Sequence, residues 1–210
     1  MAISKNPYPQ WSKNWIIADK TAVEAGYVND KDDRGGETNC GVTKAVAEEH
    51  RKELIAKFKW SGKMIDLTKE MAFYIYDVAY WQKLRLDDIH KRCPALADKL
   101  FDIGINAGVS TAGSWLQLIL NVANMKGTFY KDLTIDGNVG SVTIAAIDAL
   151  YKKRGVKQSN WNLLKLLICK QGAHYVDISF KREENESFLW GWSGRIDHNL
   201  VDYYKALGGI

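Results

Sequence analysis

Residues 24–43 read Glu24-Ala25-Gly26-Tyr27-Val28-Asn29-Asp30-Lys31-Asp32-Asp33-Arg34-Gly35-Gly36-Glu37-Thr38-Asn39-Cys40-Gly41-Val42-Thr43. Apolar periodicity disappears here, and Asn, Asp, Arg and Gly crowd together. A run of that composition forms a long turn or a small irregular hairpin, not a helix. Before it, Trp11, Trp15, Ala18 and Ala22 recur at helical spacing up to about Val23, with Ser12 as N-cap and Gly26 as the stop.

After it the chain returns to helices. One is expected over about Lys44–Lys57. Another follows Leu67, capped by Thr68, with Met71, Tyr74, Ile75 and Val78 on one face. Cys93-Pro94 reads as a boundary. The next helix carries Leu96, Leu100, Ile103 and Ala107 and ends at Gly108. Ser110 or Thr111 opens another, burying Trp115, Leu116, Ile119 and Leu120. Residues 127–140 read as a loop. A helix with Ile144, Ile147, Leu150 and Tyr151 comes next, then a long one capped by Asn160 and running to about Phe180. A last helix covers roughly 193–207. The expected fold is therefore mainly α: a helical bundle with one small irregular hairpin or loop. Two regions are expected, 1–92 and 93–210, packed into one globular unit.

Glu24 closes the first helix, an unfavourable end for a carboxylate because the helix dipole there favours cations. An exposed Glu is the ordinary explanation. The loop behind it offers another. Within ten residues come Asn29, Asp30, Asp32, Asp33 and Arg34, then Gly35-Gly36, Thr38 and Asn39. Glycoside hydrolysis commonly uses two carboxyl groups, one protonated to donate to the leaving oxygen and one ionised. A Glu on a helix near aromatic surface suits the acid role, and an Asp on a polar loop stays charged. Glu24 and Asp33 fit that division, with Asp30 and Asp32 as alternatives. Thr38 or Thr43 is placed to orient the attacking water.

The stretch 24–43 closely resembles the signature of glycoside hydrolase family 108, EGGYVNDPxDxGGxTNxGIT. It departs from it at Ala25, Lys31 and Val42, with Cys40 at an open position of the pattern, and none of these removes the carboxylate, the Gly-Gly turn or the threonines. The resemblance implies a lysozyme-like α+β fold and an N-acetylmuramidase with Glu24 as catalytic acid. The bond cut would be the β-1,4 link between N-acetylmuramic acid and N-acetylglucosamine. Tyr27, Asp30, Gly36, Asn39 and Thr43 are candidate substrate contacts, and so is Asn106, which otherwise reads as a satisfied buried amide. Further on, Leu100–Gly108, Ala112–Gln117, Asp136–Thr143 and Phe188–Arg195 look like the companion region called a predicted peptidoglycan-binding domain. Asp136-Gly137 is also an ordinary turn, Thr143 an ordinary helix cap, and Trp190 and Trp192 candidate core residues. Two other functions compete: a lytic transglycosylase, which needs only Glu24 and leaves anhydro-muramic ends, and a wall-binding protein without activity.

Composition narrows the partners. The 210 residues carry a net charge of +4, compatible with an anionic polymer, but the basic residues are scattered. Lys152-Lys153-Arg154 and Lys181-Arg182 read as solvated helix ends, so no nucleic-acid partner is expected. Eight Trp and ten Tyr serve a core, a sugar-binding groove, or both. Three cysteines make no disulfide framework, and the histidines lack ligand spacing, so neither metal nor cofactor is expected. Cys40 has no histidine near it in sequence and reads as a bystander. The run Met1–Trp11 holds no continuous apolar segment, so no export signal and no stable membrane insertion are expected. The resemblance then implies a phage-type endolysin, antimicrobial toward its host. It would be a monomer held in the host cytoplasm until a holin releases it to the periplasm and wall.

Overall fold

A computed structural model describes residues 7–23, 26–29, 36–197 and 200–208. The chain divides into two compact units, Met1–Gln82 and Lys83–Ile210.

In the first unit, α1 (Lys13–Val23) starts at Ser12, whose hydroxyl accepts the Trp15 N–H at 3.1 Å. Its buried apolar pair is Ile16 and Ile17, both fully enclosed, with Lys20 and Thr21 buried on the next turn, while Trp15 is half-buried. The inward face thus sits one position along from the Trp15-Ala18 stripe. Three two-residue strands follow: β1 (Tyr27–Val28), β2 (Thr38–Asn39) and β3 (Val42–Thr43), antiparallel in that order. This is the small hairpin that the loss of helical periodicity announces. The helix expected over 44–57 is two: α2 (Lys44–Glu49) and α3 (Arg51–Phe58), separated at His50. Thr43 caps α2 by accepting the Val46 N–H, and Thr68 caps α4 (Lys69–Tyr76) by accepting the Met71 N–H. One wide π-helical turn over Asp77–Trp81 extends α4 and brings Trp81 fully inside.

The second unit is all helix and loop among its described residues. Its helices are α5 (Leu86–His90), α6 (Pro94–Ala107), α7 (Val109–Ala123), α8 (Ser141–Arg154), α9 (Val156–Phe180), α10 (Glu186–Asp197) and α11 (Leu200–Ala206). Pro94 stands at the first helical position of α6, where its missing N–H is harmless. α6 packs on α5, α7 and α9 and buries Leu96, Leu100, Phe101 and Ile103 completely. Each such side chain contributes about 1.5–3 kcal/mol on leaving water.

Several sequence expectations shift here: α7 opens at Val109 behind Gly108, ahead of Ser110 and Thr111, and Trp115 on it is half-buried. α9 begins at Val156 behind Gly155, and Asn160 is buried inside it, accepting a hydrogen bond from the Tyr151 hydroxyl. Thr143 lies within α8 and is buried; Gly140 holds the cap position. The expected last helix is instead α10 and α11.

Polar side chains are built into this unit's core. Lys99 is 1% exposed and donates to Gln171 Oε1 and the Arg195 carbonyl, each at 3.1 Å, with Asp102 Oδ2 at 3.5 Å. Gln171 donates in turn to Asp102 at 2.8 Å, and the Tyr203 hydroxyl donates to Asp98 at 2.6 Å. Near the surface, Arg92 grips Asp148 through two 2.7 Å bonds and holds its carboxyl below the usual range.

Side-chain amides on α7 and at its C-cap, Asn124, tie down the loop that follows to residue 140. Asn124 accepts the Phe129 and Tyr130 N–H groups, and Asn121 exchanges a pair of bonds with the Leu133 backbone. Gln117 donates to Asp136 Oδ1 (2.8 Å) and the Asn138 carbonyl (3.0 Å) and accepts the Gly137 N–H (2.9 Å). Gly113 and Gly137 let helix and loop meet backbone to backbone: a Cβ on Gly113 would lie 2.0 Å from the Gly137 carbonyl oxygen. The segments Ala112–Gln117 and Asp136–Thr143 are therefore two halves of one contact.

Candidate active site

The three-stranded sheet gathers the described candidate residues of the first unit. Tyr27 pairs with Asn39 and Val28 with Thr38; Thr38 then pairs with Thr43 and Asn39 with Val42. Between β2 and β3 only Cys40 and Gly41 remain, with φ of +49° and +72°. Positive φ at both central positions is the geometry of a tight hairpin turn whose twist matches its strands. Gly41 adopts it freely, whereas Cys40 carries a side chain in the left-handed region.

Glu24, Asp30 and Asp33, and the alternative Asp32, lie outside the described residues. In sequence, Glu24 precedes β1 by three residues, and the three aspartates fall between β1 and β2.

The other candidates divide by what their polar atoms already hold. Asn39 is buried, and its amide donates to the Met64 carbonyl at 2.7 Å, with those of Leu67 and Ile65 at 3.3 and 3.4 Å. Its oxygen faces the Cys40 thiol at 3.6 Å. That amide fixes the sheet to the turn over Met64–Asp66. Tyr76 secures the other side by donating to the Gly41 carbonyl at 3.2 Å. Thr43 serves as the α2 cap. Thr38 is half-buried and donates to the Gly36 carbonyl at 3.2 Å, which leaves its oxygen lone pairs able to accept from a water. Gly36 has φ +65°, and nothing lies within 4 Å of where a Cβ would stand, so backbone conformation rather than space calls for glycine there. Asn106 belongs to the second unit, is exposed, and donates to the Asp102 carbonyl and carboxylate at 2.8 and 3.2 Å.

Glu37 and Lys44 complete the sheet's polar surface. Their 2.6 Å ion pair is joined by Tyr27, whose hydroxyl donates to the other Glu37 oxygen at 2.9 Å. The Lys44 bond, then the Tyr27 bond, hold the Glu37 carboxyl below its ordinary range; the Tyr27 phenol is raised in return, chiefly by Glu37. With both oxygens engaged and its charge stabilised, Glu37 is an ionised anchor and unsuited to donating a proton. The sequence held a signal for this pair. Once a two-residue turn is placed at Cys40-Gly41, the register sets Glu37 opposite Lys44, and their backbones bond at 2.8 Å.

Cys40 and Cys93 are buried and Cys169 is exposed, all free thiols. Burial raises the Cys40 thiol and pushes Cys93 to about 11, away from nucleophile chemistry. Among the described residues no group of His, Cys, Asp or Glu is arranged to hold a metal, and no helix is long and apolar enough to cross a membrane. Trp190 is 86% exposed and so is not core, whereas Trp192 stacks on Phe188 and meets Tyr175 at a tilt.

Two family matches meet at the α6–α7 junction, inside the second compact unit. The family described as Glycosyl hydrolase 108 matches residues 17–108, and the family described as Predicted Peptidoglycan domain matches residues 111–197. No curated protein matches the chain. A solved structure titled "Structure of Brucella abortus SagA" is similar at 22% identity with a TM-score of 0.61, over 91% of this chain and 93% of that one. At that identity the likeness is one of fold.

Proposed function

Residues 17–108 belong to the glycosyl hydrolase 108 family and residues 111–197 to the predicted peptidoglycan domain family, and from that membership of a peptidoglycan hydrolase we propose an N-acetylmuramidase. It cuts the β-1,4 bond between N-acetylmuramic acid and N-acetylglucosamine. Glu24, protonated, gives its proton to the leaving glycosidic oxygen. Asp33, with Asp30 and Asp32 as the alternatives, is the ionised partner. It either takes a proton from the water whose oxygen bonds to the anomeric carbon, or forms a glycosyl intermediate that water then opens. Thr38 accepts from and orients that water. Tyr27 and Gly36 line the substrate side, and Asn39 and Thr43 hold the sheet beneath it.

The observation that carries this reading is the pairing of β1 with β2 inside the family motif. In sequence the acidic segment falls between these two strands, and Asn39 and Tyr76 anchor their sheet. Glu37 supports the assignment by exclusion, since Lys44 and Tyr27 keep it ionised.

The test is digestion of purified peptidoglycan by wild type and Glu24→Gln, with product masses. Wild type should generate reducing muramic ends, and Glu24→Gln should slow their release about 10²–10⁴-fold, the usual contribution of a general acid. New ends that are all anhydro-muramic would replace hydrolysis by transglycosylation. Unchanged lysis by Glu24→Gln would remove that residue from the mechanism.

A further inference from the structure

The second unit carries an open groove of about 510 Å3 whose wall is one face of α9. Lys157, Trp161 and Lys165 recur every four residues along that face, and Gln158 and Asn162 lie beside them at the same interval. Tyr204 on α11 supplies the opposite side. It lies beyond the residues that match the peptidoglycan domain family.

Three features of this groove point to one ligand chemistry. The Trp161 and Tyr204 rings meet at 71° with centroids 5.9 Å apart, forming an aromatic corner. Flat rings of this kind pack against the C–H faces of pyranoses while leaving the hydroxyls free. The side-chain amides of Gln158 and Asn162 make no hydrogen bond to another described residue. Each offers donors and an acceptor, which match hydroxyl and N-acetyl groups. The two lysines add positive charge to the described lining. Lys165 Nζ lies 5.6 Å from the Trp161 ring centre, and Lys157 Nζ donates to the Gly208 carbonyl at 3.1 Å. Neither has a carboxylate partner among the described residues, and no Asp or Glu lines the groove. Asp202, on α11, lies 3.9 Å from Lys205. The volume falls within the roughly 300–1,000 Å3 of small-ligand sites.

We propose that this groove is a binding subsite for an anionic glycan, a strand of N-acetylated sugars bearing carboxylates. The rings take the sugar faces, the amides the N-acetyl and hydroxyl groups, and Lys157 and Lys165 the carboxylates. An acidic peptide would satisfy the lysines but leave the aromatic corner and both amides without a role. The ligand's identity rests on the reading of the chain as a peptidoglycan hydrolase.

The test uses the full chain carrying Glu24→Gln, so that the glycan is not degraded during the assay. Binding to glycan strands freed of their stem peptides, so that the lactyl carboxylates are free, is measured by calorimetric titration, with and without Lys157→Glu/Lys165→Glu and, separately, Gln158→Leu/Asn162→Leu. The lysines are exposed, so the charge-reversed protein should melt with its parent. Each pair of substitutions should weaken binding about tenfold. A soluble N-acetylglucosaminyl-N-acetylmuramic acid disaccharide should compete better than the same sugar with its carboxylate converted to an amide. Binding within twofold of the parent for both pairs overturns the proposal. So does competition by polyglutamate as strong as that by the disaccharide. The wild-type cleavage products are read separately. If they lack muramic ends while the groove variants still lose binding, the hydrolase reading fails and the groove stands.

Discussion

Replacing Gly113 with Ala poses a question of sign that the structure answers. Gly113 sits inside α7, where Ala is favoured over Gly by about 1 kcal/mol on helix propensity. The new Cβ would lie 2.0 Å from the Gly137 carbonyl oxygen and 2.7 Å from its carbon. A C–H group meets a carbonyl oxygen at roughly 3.3 Å, so helix and loop must separate by about 1.3 Å. The Gln117 bonds to Asp136, Asn138 and Gly137, now 2.8, 3.0 and 2.9 Å, cannot span that increase. Losing three bonds at about 1 kcal/mol each outweighs the propensity gain and leaves a net loss of about 2 kcal/mol. In a chain of this length that lowers Tm by roughly 4–8 °C. Gly191 in α10 is the control, since nothing lies within 4 Å of a Cβ there, and Gly191→Ala should gain about 0.5–1 kcal/mol. Thermal melts of the three proteins decide. Gly113→Ala melting at or above wild type, with Gly191→Ala stabilised as expected, would refute the close-approach reasoning.

Lys99→Met keeps the side-chain volume but strips the cation beside Asp102, and should cost about 3–5 kcal/mol. A urea-denaturation cycle with Asp102→Asn should return a coupling above about 1 kcal/mol; independent effects would remove the ion pair from the core's account. Glu37 should titrate by NMR below the ordinary glutamate range, and Lys44→Met should move its midpoint upward. Because the folded-state value is depressed, the pair's contribution is present above the ordinary range and lost as pH falls through the lowered value. An unmoved midpoint would mean the 2.6 Å contact is not populated in solution. Of the three thiols, Cys169 should react at once with a disulfide reagent, and Cys40 and Cys93 only on unfolding. The raised Cys93 pKa favours the protonated folded state, so its contribution to stability should fall as pH rises from about 9 toward about 11. Rapid labelling of more than one thiol in the native protein would contradict that burial.

The sequence by itself determined most of the helices, though not α5 or the divisions between α2 and α3 and between α10 and α11, together with the polar interruption at 24–43 and its family signature. Those features are local: the caps at Ser12, Thr43 and Thr68 and the turn at Cys40-Gly41 act on residues within four positions. Where local signals competed, they misled. Asn160 looked like a cap because its type favours caps, but α9 starts earlier behind Gly155, whose backbone turns freely, and Tyr151 takes the Asn160 oxygen. Tertiary structure alone decided the long-range partners. Asn39 reaches Met64 across 25 residues, Gln117 reaches Asp136 across 19, and Lys99 reaches Gln171 across 72. Such pairs leave no period in the sequence, because a buried polar group needs its partner close in space and at no fixed separation along the chain. The same holds for the α9 groove. Its four-residue spacing was written in the sequence, but only the packing of α11 beside it set Tyr204 against Trp161 and made a site of the face.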